Sequence, residues 1–513
     1  MKKYVLVVIS LLFLFLGTAI GANYPLEIVR PEASGTIGSR DRIHKAYPGL
    51  TYTIRVAVYG GTYPFTYALN NEPSGMTIDT DTGVITWLNP QSNSGTITVT
   101  VTDAESSDDS ASWVITVGTS GFYFVEASAG SGGDGTIGDP WDDWNDFYFG
   151  KTDSTYDGAM IYFKDGTYDY PSQYPDDTAG SSNRLWIGSG NPRIFLAYPG
   201  ETAVYFDGER SGERIHLFSL QSNIYFSGIN FVRGYGFNIE QNAGNYFCVQ
   251  DCTFDDISGS GSSSNQAAIS FRVDAPNDGN EPPVSDSGFT LYPVIQNCTF
   301  TNILINECGI KTYGIRYGVI SDSSFENIGG DGIDLKSTTD KTMIRHNTFT
   351  DIDNDGVILR AQYYSHNTDI SFNYFDDTSM QVGGYEGTAG PGLTYFYRNT
   401  LVGTLFFRFI DSGDGPVYIS NNVIINSDPA DHIRDEIGEH ETITANMSVL
   451  SDNLMGESSD NIVDSNGELL GTYREQYLGS RGWELGEPED IISITLGGSE
   501  TVIMGGSQTL TIQ

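Results

Sequence analysis

The sequence predicts an all-β chain, a small β-sandwich followed by a right-handed parallel β-helix. Three observations carry this. A short pattern returns about every 24 residues, as Cys308-Gly-Ile-Lys311, Asp331-Gly-Ile-Asp-Leu-Lys336 and Asp355-Gly-Val-Ile-Leu-Arg360. A second pattern returns beside it, in Asp251-Cys-Thr-Phe254, Asn297-Cys-Thr-Phe300, Asp322-Ser-Ser-Phe325, His346-Asn-Thr-Phe349, Phe372-Asn-Tyr-Phe375, Arg398-Asn-Thr-Leu401 and Asn421-Asn-Val-Ile424. Repeats of this length, rich in Asn, Asp and Gly, are those of stacked coils in a solenoid. The composition agrees, with 60 Gly, 31 Tyr and 27 Phe, and long helical periodicity is scarce.

The 513 residues are too many for one ordinary domain. The net charge of −40 excludes a generally basic footprint for nucleic acid and disfavours anionic membranes. Local clusters of Lys and Arg therefore stand out. Residues 1–22 read as a signal peptide: Lys2 and Lys3, an apolar run Tyr4–Leu16, then the small residues of Thr18–Ala22. That run is short for a membrane span, and no later segment is suited to one. A secreted protein, without membrane insertion and acting as a monomer, is expected.

Residues 23–118 form the predicted sandwich. Runs such as Tyr52-Thr-Ile-Arg-Val-Ala-Val and Gly95-Thr-Ile-Thr-Val-Thr-Val alternate with turn signals. The stretch from Tyr63 to Leu69, with Pro73-Ser-Gly-Met through Val84-Ile-Thr-Trp87, resembles the bacterial immunoglobulin-like or cadherin-like modules of secreted proteins. That resemblance implies a spacer or adhesion module. Asp79 and Asp81 fit an Asp-Thr-Gly turn or a calcium contact.

The coils are expected over residues 122–428. The opening Phe122-Tyr-Phe-Val, its Gly-rich turn and Asp139-Pro-Trp141 resemble the start of many secreted β-helix proteins, which implies a capping helix over Asp142–Phe149. Cys252, Cys298, Ser323, Asn347, Asn373, Asn399 and Asn422 line up as one column, whose amides can pair from rung to rung. Cys248, Cys252, Cys298 and Cys308 do not space like a zinc site and leave disulfides and buried free thiols both open. Loops are expected at 274–287 and 383–392. Residues 429–513 are assigned to a C-terminal cap and a final strand pair.

Alternate strand residues point inward and outward. Ile333 and Leu335 inside place Asp334 and Lys336 outside, and the same register places Arg360 outside. Arg272, Tyr313, Lys336, Arg360 and Arg408 then share one outward column, with Lys311 beside it. Rungs lie about 4.8 Å apart. Like charges so stacked suit a track for an anionic polysaccharide, unless each pairs with a nearby Asp.

The run Asp331-Gly-Ile-Asp-Leu-Lys-Ser-Thr, with Arg345-His-Asn-Thr-Phe349 and Gly356-Val-Ile-Leu-Arg360, resembles the chondroitinase B and alginate lyase family of pectate-lyase-like β-helices. The resemblance implies that Lys336 and Arg360 are catalytic, in β-elimination on a uronate-containing polysaccharide. It also implies calcium (Ca2+) near Asp331. Gly329 stands where the family has a second acidic ligand, with Asn306 or Glu307 near the third place. The His-Gly that commonly follows the family's Arg is absent. Asp351-Ile-Asp353-Asn-Asp355-Gly356 matches the start of a calcium loop, although Gln362 replaces its terminal Glu. Asp331, Asp351, Asp353 and Asp355 are thus the candidate metal ligands. Arg272, Lys311, Tyr313, Asp334 and Arg408 are the candidate substrate contacts. Two rival readings stay open: a glycoside hydrolase using Asp331, Asp334 and Asp355, and a non-enzymatic adhesin.

Overall fold

The computed structural model describes residues 24–31, 44–143, 158–169, 184–187, 194–209, 214–217, 224–234, 236–240, 245–257, 267–272, 286, 288–304, 307–361, 365–384, 393–408, 417–427, 433–435, 448–451, 453–456, 462–466, 468–470, 476, 482–483, 492–496 and 500–504. The expected leader, most of the capping helix, most of both expected loops, Asn306 and the side chain of Arg272 lie outside them.

Residues 24–31 and 44–117 form the sandwich. Tyr52–Arg55 pairs antiparallel with Val84–Trp87, which pairs with Met76–Ile78. Thr66–Asn70, Thr96–Thr102 and Asp108–Val114 make the facing sheet. Their alternating inward residues bury Tyr52, Ile85, Trp87, Ile97, Val99, Val101 and Trp113 in one core. The Asp79 carboxylate accepts the amides of Asp81 and Thr82, so this segment is a turn closed on itself.

From Phe122 onward the chain is a parallel β-helix with three sheets. The first runs from Phe122–Val125 to Ser448–Ser451, the second from Gly166–Asp169 to Leu454–Gly456, and the third from Arg184–Ile187 to Ile433–Asp435. Coils therefore continue to Gly456, past residue 428 where the sequence repeat fades. Val423–Ile425 pairs with Leu454–Gly456 even though the aromatic column has ended. The expected terminal strand pair is an antiparallel hairpin, Ile492–Leu496 with Glu500–Met504.

Two interior columns hold the coils in register. Phe254, Phe300, Phe325, Phe349 and Phe375 stack with centroids 4.9, 4.7, 4.9 and 4.8 Å apart. Beside them, Asn347, Asn373 and Asn399 are fully buried, and each gives its backbone amide and side-chain Nδ2 to the next Asn Oδ1 at 2.8 to 3.1 Å. The residue before each ladder position takes a left-handed conformation: Asn297, Asp322, His346, Phe372, Arg398 and Asn421 have φ of 53° to 56°. Asn and Asp tolerate that geometry best, and the coil geometry imposes it on the others.

The outer face of the first sheet is covered by the sandwich. Val29, Ala57 and Tyr59 pack with Tyr225, Cys248, Val294, Val319 and Met343. Strands buried on both faces read as continuous apolar runs, as in Met160-Ile-Tyr-Phe163 and Ile194-Phe-Leu-Ala197. Polar bonds reinforce the contact, including Arg55 to Asp251 at 2.8 Å and Arg345 Nη1 to Gly60 O at 3.1 Å. All four cysteines are buried free thiols. Among the described residues no helix is long and apolar enough to cross a membrane.

Candidate functional site

The third sheet carries the candidate residues. Pairing follows the expected register: Ser270 opposes Lys311, Lys311 opposes Asp334, and Lys336 opposes Arg360. Arg360 opposes Gly383, and Gly383 opposes Arg408. Tyr313, Lys336, Arg360 and Arg408 therefore share one outward column. Arg272 opposes Glu240 in the same column.

The Xaa-Gly triplets that start these strands have a packing cause. A Cβ at Gly332 would fall 2.5 Å from the Gly356 carbonyl oxygen and 2.8 Å from the Phe349 ring. Each rung must pass close to the next beside the Phe stack. That brings Cys308, Asp331 and Asp355 into one column at the sheet's edge, and Cys308 Sγ lies 3.6 Å from Asp331 Oδ2.

The charges do not form a bare cationic track. Lys311 and Asp334 are 3% and 0% exposed, with Lys311 Nζ 2.9 Å from Asp334 Oδ2. Arg360 reaches Asp331 Oδ2 at 3.3 Å and Asp334 Oδ1 at 3.9 Å. Asp331 and Asp334 thus neutralise Lys311 and Arg360, because an unpaired charge at this depth is too costly. Lys311 and Asp334 are removed from direct substrate contact. Lys336 is half-buried, with Nζ 5.5 Å from the Tyr313 ring centre. Burial, then Lys311 and Arg360, hold its ammonium below the ordinary lysine range. Arg360 is 38% exposed and Arg408 is exposed. The open face is therefore Tyr313, Lys336, Arg360 and Arg408, above a buried neutral cluster.

Two carboxyls stand out. Burial and the charge of Asp334 push Asp331 up to about 6, against Arg360 and Lys311. Burial and Asp331 push Asp355 up to about 7. The Asp355 amide hydrogen-bonds the Asp331 carboxylate.

The expected calcium ligands do not converge. Cys308, Asp331 and Asp334 are grouped, with ligand atoms within 4.8 Å of one another. Asp351, at the end of its strand, and Asp353, on the turn after it, are exposed; Asp355 is half-buried at the start of the next strand; all three lie outside that group. Calcium takes six to eight oxygens, roughly, and avoids thiols. Here burial pushes the Cys308 thiol up, so it keeps its proton. Both carboxylates already face cations. Asp331 Oδ1 lacks a hydrogen bond, but the groups beside it are the Cys308 thiol and an Asp334 carboxylate already paired with Lys311. Among the described residues, which leave out Asn306, the donor set does not fit calcium.

The sequence reading missed Cys308 as part of this cluster. Its signal was positional, since it opens the triplet that Asp331 opens one rung later.

Comparisons with known proteins place one part of the chain. Residues 36–118 match the family model He_PIG, "Putative Ig domain". No curated protein matches the sequence. Among solved structures the chain is similar to a rhamnogalacturonan lyase, at 13% identity and TM-score 0.40, over 71% of this chain and 99% of that one. It is also similar to a PL6 family alginate lyase mutant, at 14% identity and TM-score 0.34, over 65% and 55%.

Proposed function

We propose that this protein is a secreted polysaccharide lyase that cleaves a uronate-containing polysaccharide by β-elimination. The observation that carries this is the Lys336–Arg360 pair. The two sit side by side on adjacent rungs of an open strand face, and the ammonium of the first is depressed by burial and neighbouring cations. A neutral Lys336 amine takes the proton beside the uronate carboxylate. The electron pair of that C–H bond forms the sugar C=C bond, and the C–O bond to the leaving sugar breaks, its electron pair passing to the glycosidic oxygen, which takes up a proton from solvent. The Arg360 guanidinium faces the carboxylate and stabilises its enolate-like charge. Asp331 and Asp334 hold Arg360 in place. Tyr313 and Arg408 extend the face along the polymer.

In Lys336→Ala, formation of the ultraviolet-absorbing unsaturated sugar should fall by about 10²–10⁴-fold, the usual contribution of a general base, while polymer binding persists. Full activity in this variant would end the assignment. The raised Asp331 and Asp355 carboxyls favour one rival, a hydrolase with a proton-carrying acid. New reducing ends without ultraviolet absorbance would select it.

A further inference from the structure

A crevice of about 450 Å³ lies where the sandwich meets the corner between the first and second sheets. Its volume falls within the range of small-ligand sites, roughly 300–1,000 Å³. The candidate catalytic face lies on the third sheet, so this is a separate place on the molecule.

Its walls have two characters. On one side are aromatic rings. Tyr63 lies 5.0 Å from the His346 ring, tilted by 32°, and His346 lies 5.9 Å from Trp483. Trp483 in turn stacks on Tyr374 at 5.6 Å and 14°. Tyr63, His346 and Trp483 are all half-buried, so ring surface still faces the opening. On the other side are small polar groups, Asn297, Thr299, Ser324 and Thr348. A pyranose ring has the matching chemistry, with an apolar C–H face and a polar rim.

The inner wall adds a charge. Arg345 is 3% exposed, with its guanidinium 5.2 Å from the Phe65 ring centre. Nη1 donates to Gly60 O, while Nε and Nη2 have no hydrogen-bond partner. Arg55, also in the wall, has an unbonded Nε. Buried guanidinium donors are ordinarily satisfied. Of the nearby carboxylates, Asp322 is already held by His346 at 2.9 Å, Gln296 at 3.1 Å and Ser321 at 2.9 Å, Asp251 is held by Arg55 at 2.8 Å, and Asp81 lies exposed at the rim. The missing acceptor is one that a ligand brings. We propose that this crevice is a non-catalytic binding site for an acidic sugar unit, its ring on Tyr63 and Trp483 and its carboxylate directed to Arg345. The site would hold a strand of acidic glycan on the far side of the solenoid from the elimination chemistry. It does not depend on the lyase reading, since a purely adhesive protein could use it equally.

The test is calorimetric titration of the full chain carrying Lys336→Ala, so that turnover cannot interfere. The probes are trigalacturonate and trimannuronate, with maltotriose and cellotriose as neutral controls. Saturable binding of at least one acidic trisaccharide is expected, weakened at least tenfold by Trp483→Ala and by Arg345→Gln, with neutral trisaccharides at least tenfold weaker. Circular dichroism melts identify any variant that has lost its fold, and Trp483→Ala, altered at a half-buried ring, carries the result if Arg345→Gln does not fold. No saturable binding, binding indifferent to Trp483→Ala, or equal binding of neutral sugars would each overturn the proposal. Full turnover by Lys336→Ala alone would remove the lyase assignment and leave this one standing.

Discussion

Replacing Asn373 by Ala tests what holds the coils together. Its Nδ2 donates to Ile344 O at 2.9 Å, Ser371 O at 3.0 Å and Asn399 Oδ1 at 3.0 Å. Its Oδ1 accepts the Asn347 amide N–H and Nδ2, each at 3.0 Å. In the Ala variant the Asn347 backbone N–H is left buried without an acceptor, which costs about 1–3 kcal/mol. The Asn347 side chain keeps Ile320 O, and Asn399 Oδ1 keeps the residue 373 amide, so those losses are partial. The vacated amide volume adds roughly 1–2 kcal/mol. The expected destabilisation is about 2–5 kcal/mol. Asn373→Ser should cost less, about 1–2 kcal/mol. The same column already contains Ser323, whose Oγ accepts the Cys298 amide at 3.0 Å and donates to Ser321 O at 2.8 Å. Urea unfolding followed by circular dichroism gives the two differences, and hydrogen exchange at the Asn347 amide gives the local one. An Ala variant within about 1 kcal/mol of the parent, or no worse than Ser, would refute the ladder as a source of stability.

Three further outcomes concern the candidate site. Asp334→Asn removes the carboxylate facing buried Lys311 and should destabilise the protein by about 3–5 kcal/mol, read from the same unfolding curves. A chelator should leave turnover within about twofold, because calcium does not suit the thiol and cation-paired carboxylates beside Arg360; a tenfold loss restored by calcium would contradict this. The raised Asp355 carboxyl contributes stability below its unfolded value, near 4, and that contribution is lost as pH climbs through about 7. Asp355→Asn should therefore stabilise the protein above pH 7 by roughly 2 kcal/mol, allowing for partial solvent exposure, and leave it unchanged near pH 4.

The register of the third sheet was legible in the sequence because strand periodicity is strict. Once Ile333 and Leu335 were placed inside, Lys336 beside Arg360 followed. The Asn column was legible for the same reason, with identical residues at identical offsets. Burial on the outer face was not legible. Lys311 and Asp334 sit in outward positions yet are enclosed, and one sequence does not reveal what covers an outward side chain. The ion pairs were hidden too. Arg360 meets Asp331, which lies outside its own column, because a long side chain reaches diagonally across rungs. Calcium is expected both from the resemblance near Asp331 and from Asp351-Ile-Asp353-Asn-Asp355, but the latter run turns the corner from one strand to the next, which leaves Asp351 and Asp353 exposed and carries Asp355 onto the third sheet. The sandwich was legible as a module, while its seat on the first sheet showed only as the two-sided apolar runs of the early strands.

That seat changes how the solenoid comes apart. A stack of coils bonded only to its neighbours loses them from the ends, like a coil spring opening turn by turn. Here the sandwich acts as a splint across the middle of the stack, tied to Tyr246 by Arg30, to Asp251 by Arg55, to the Arg345 rung by Gly60, and to Asn367 by the Tyr24 hydroxyl. The rungs carrying Cys308, Asp331 and Lys336 lie within the splinted length. The coils beyond Phe372, whose ring centre lies 5.2 Å from that of Tyr63, lie outside it and can open first. Opening that begins at the C-terminal end therefore stops short of the Lys336 rung while the sandwich stays docked.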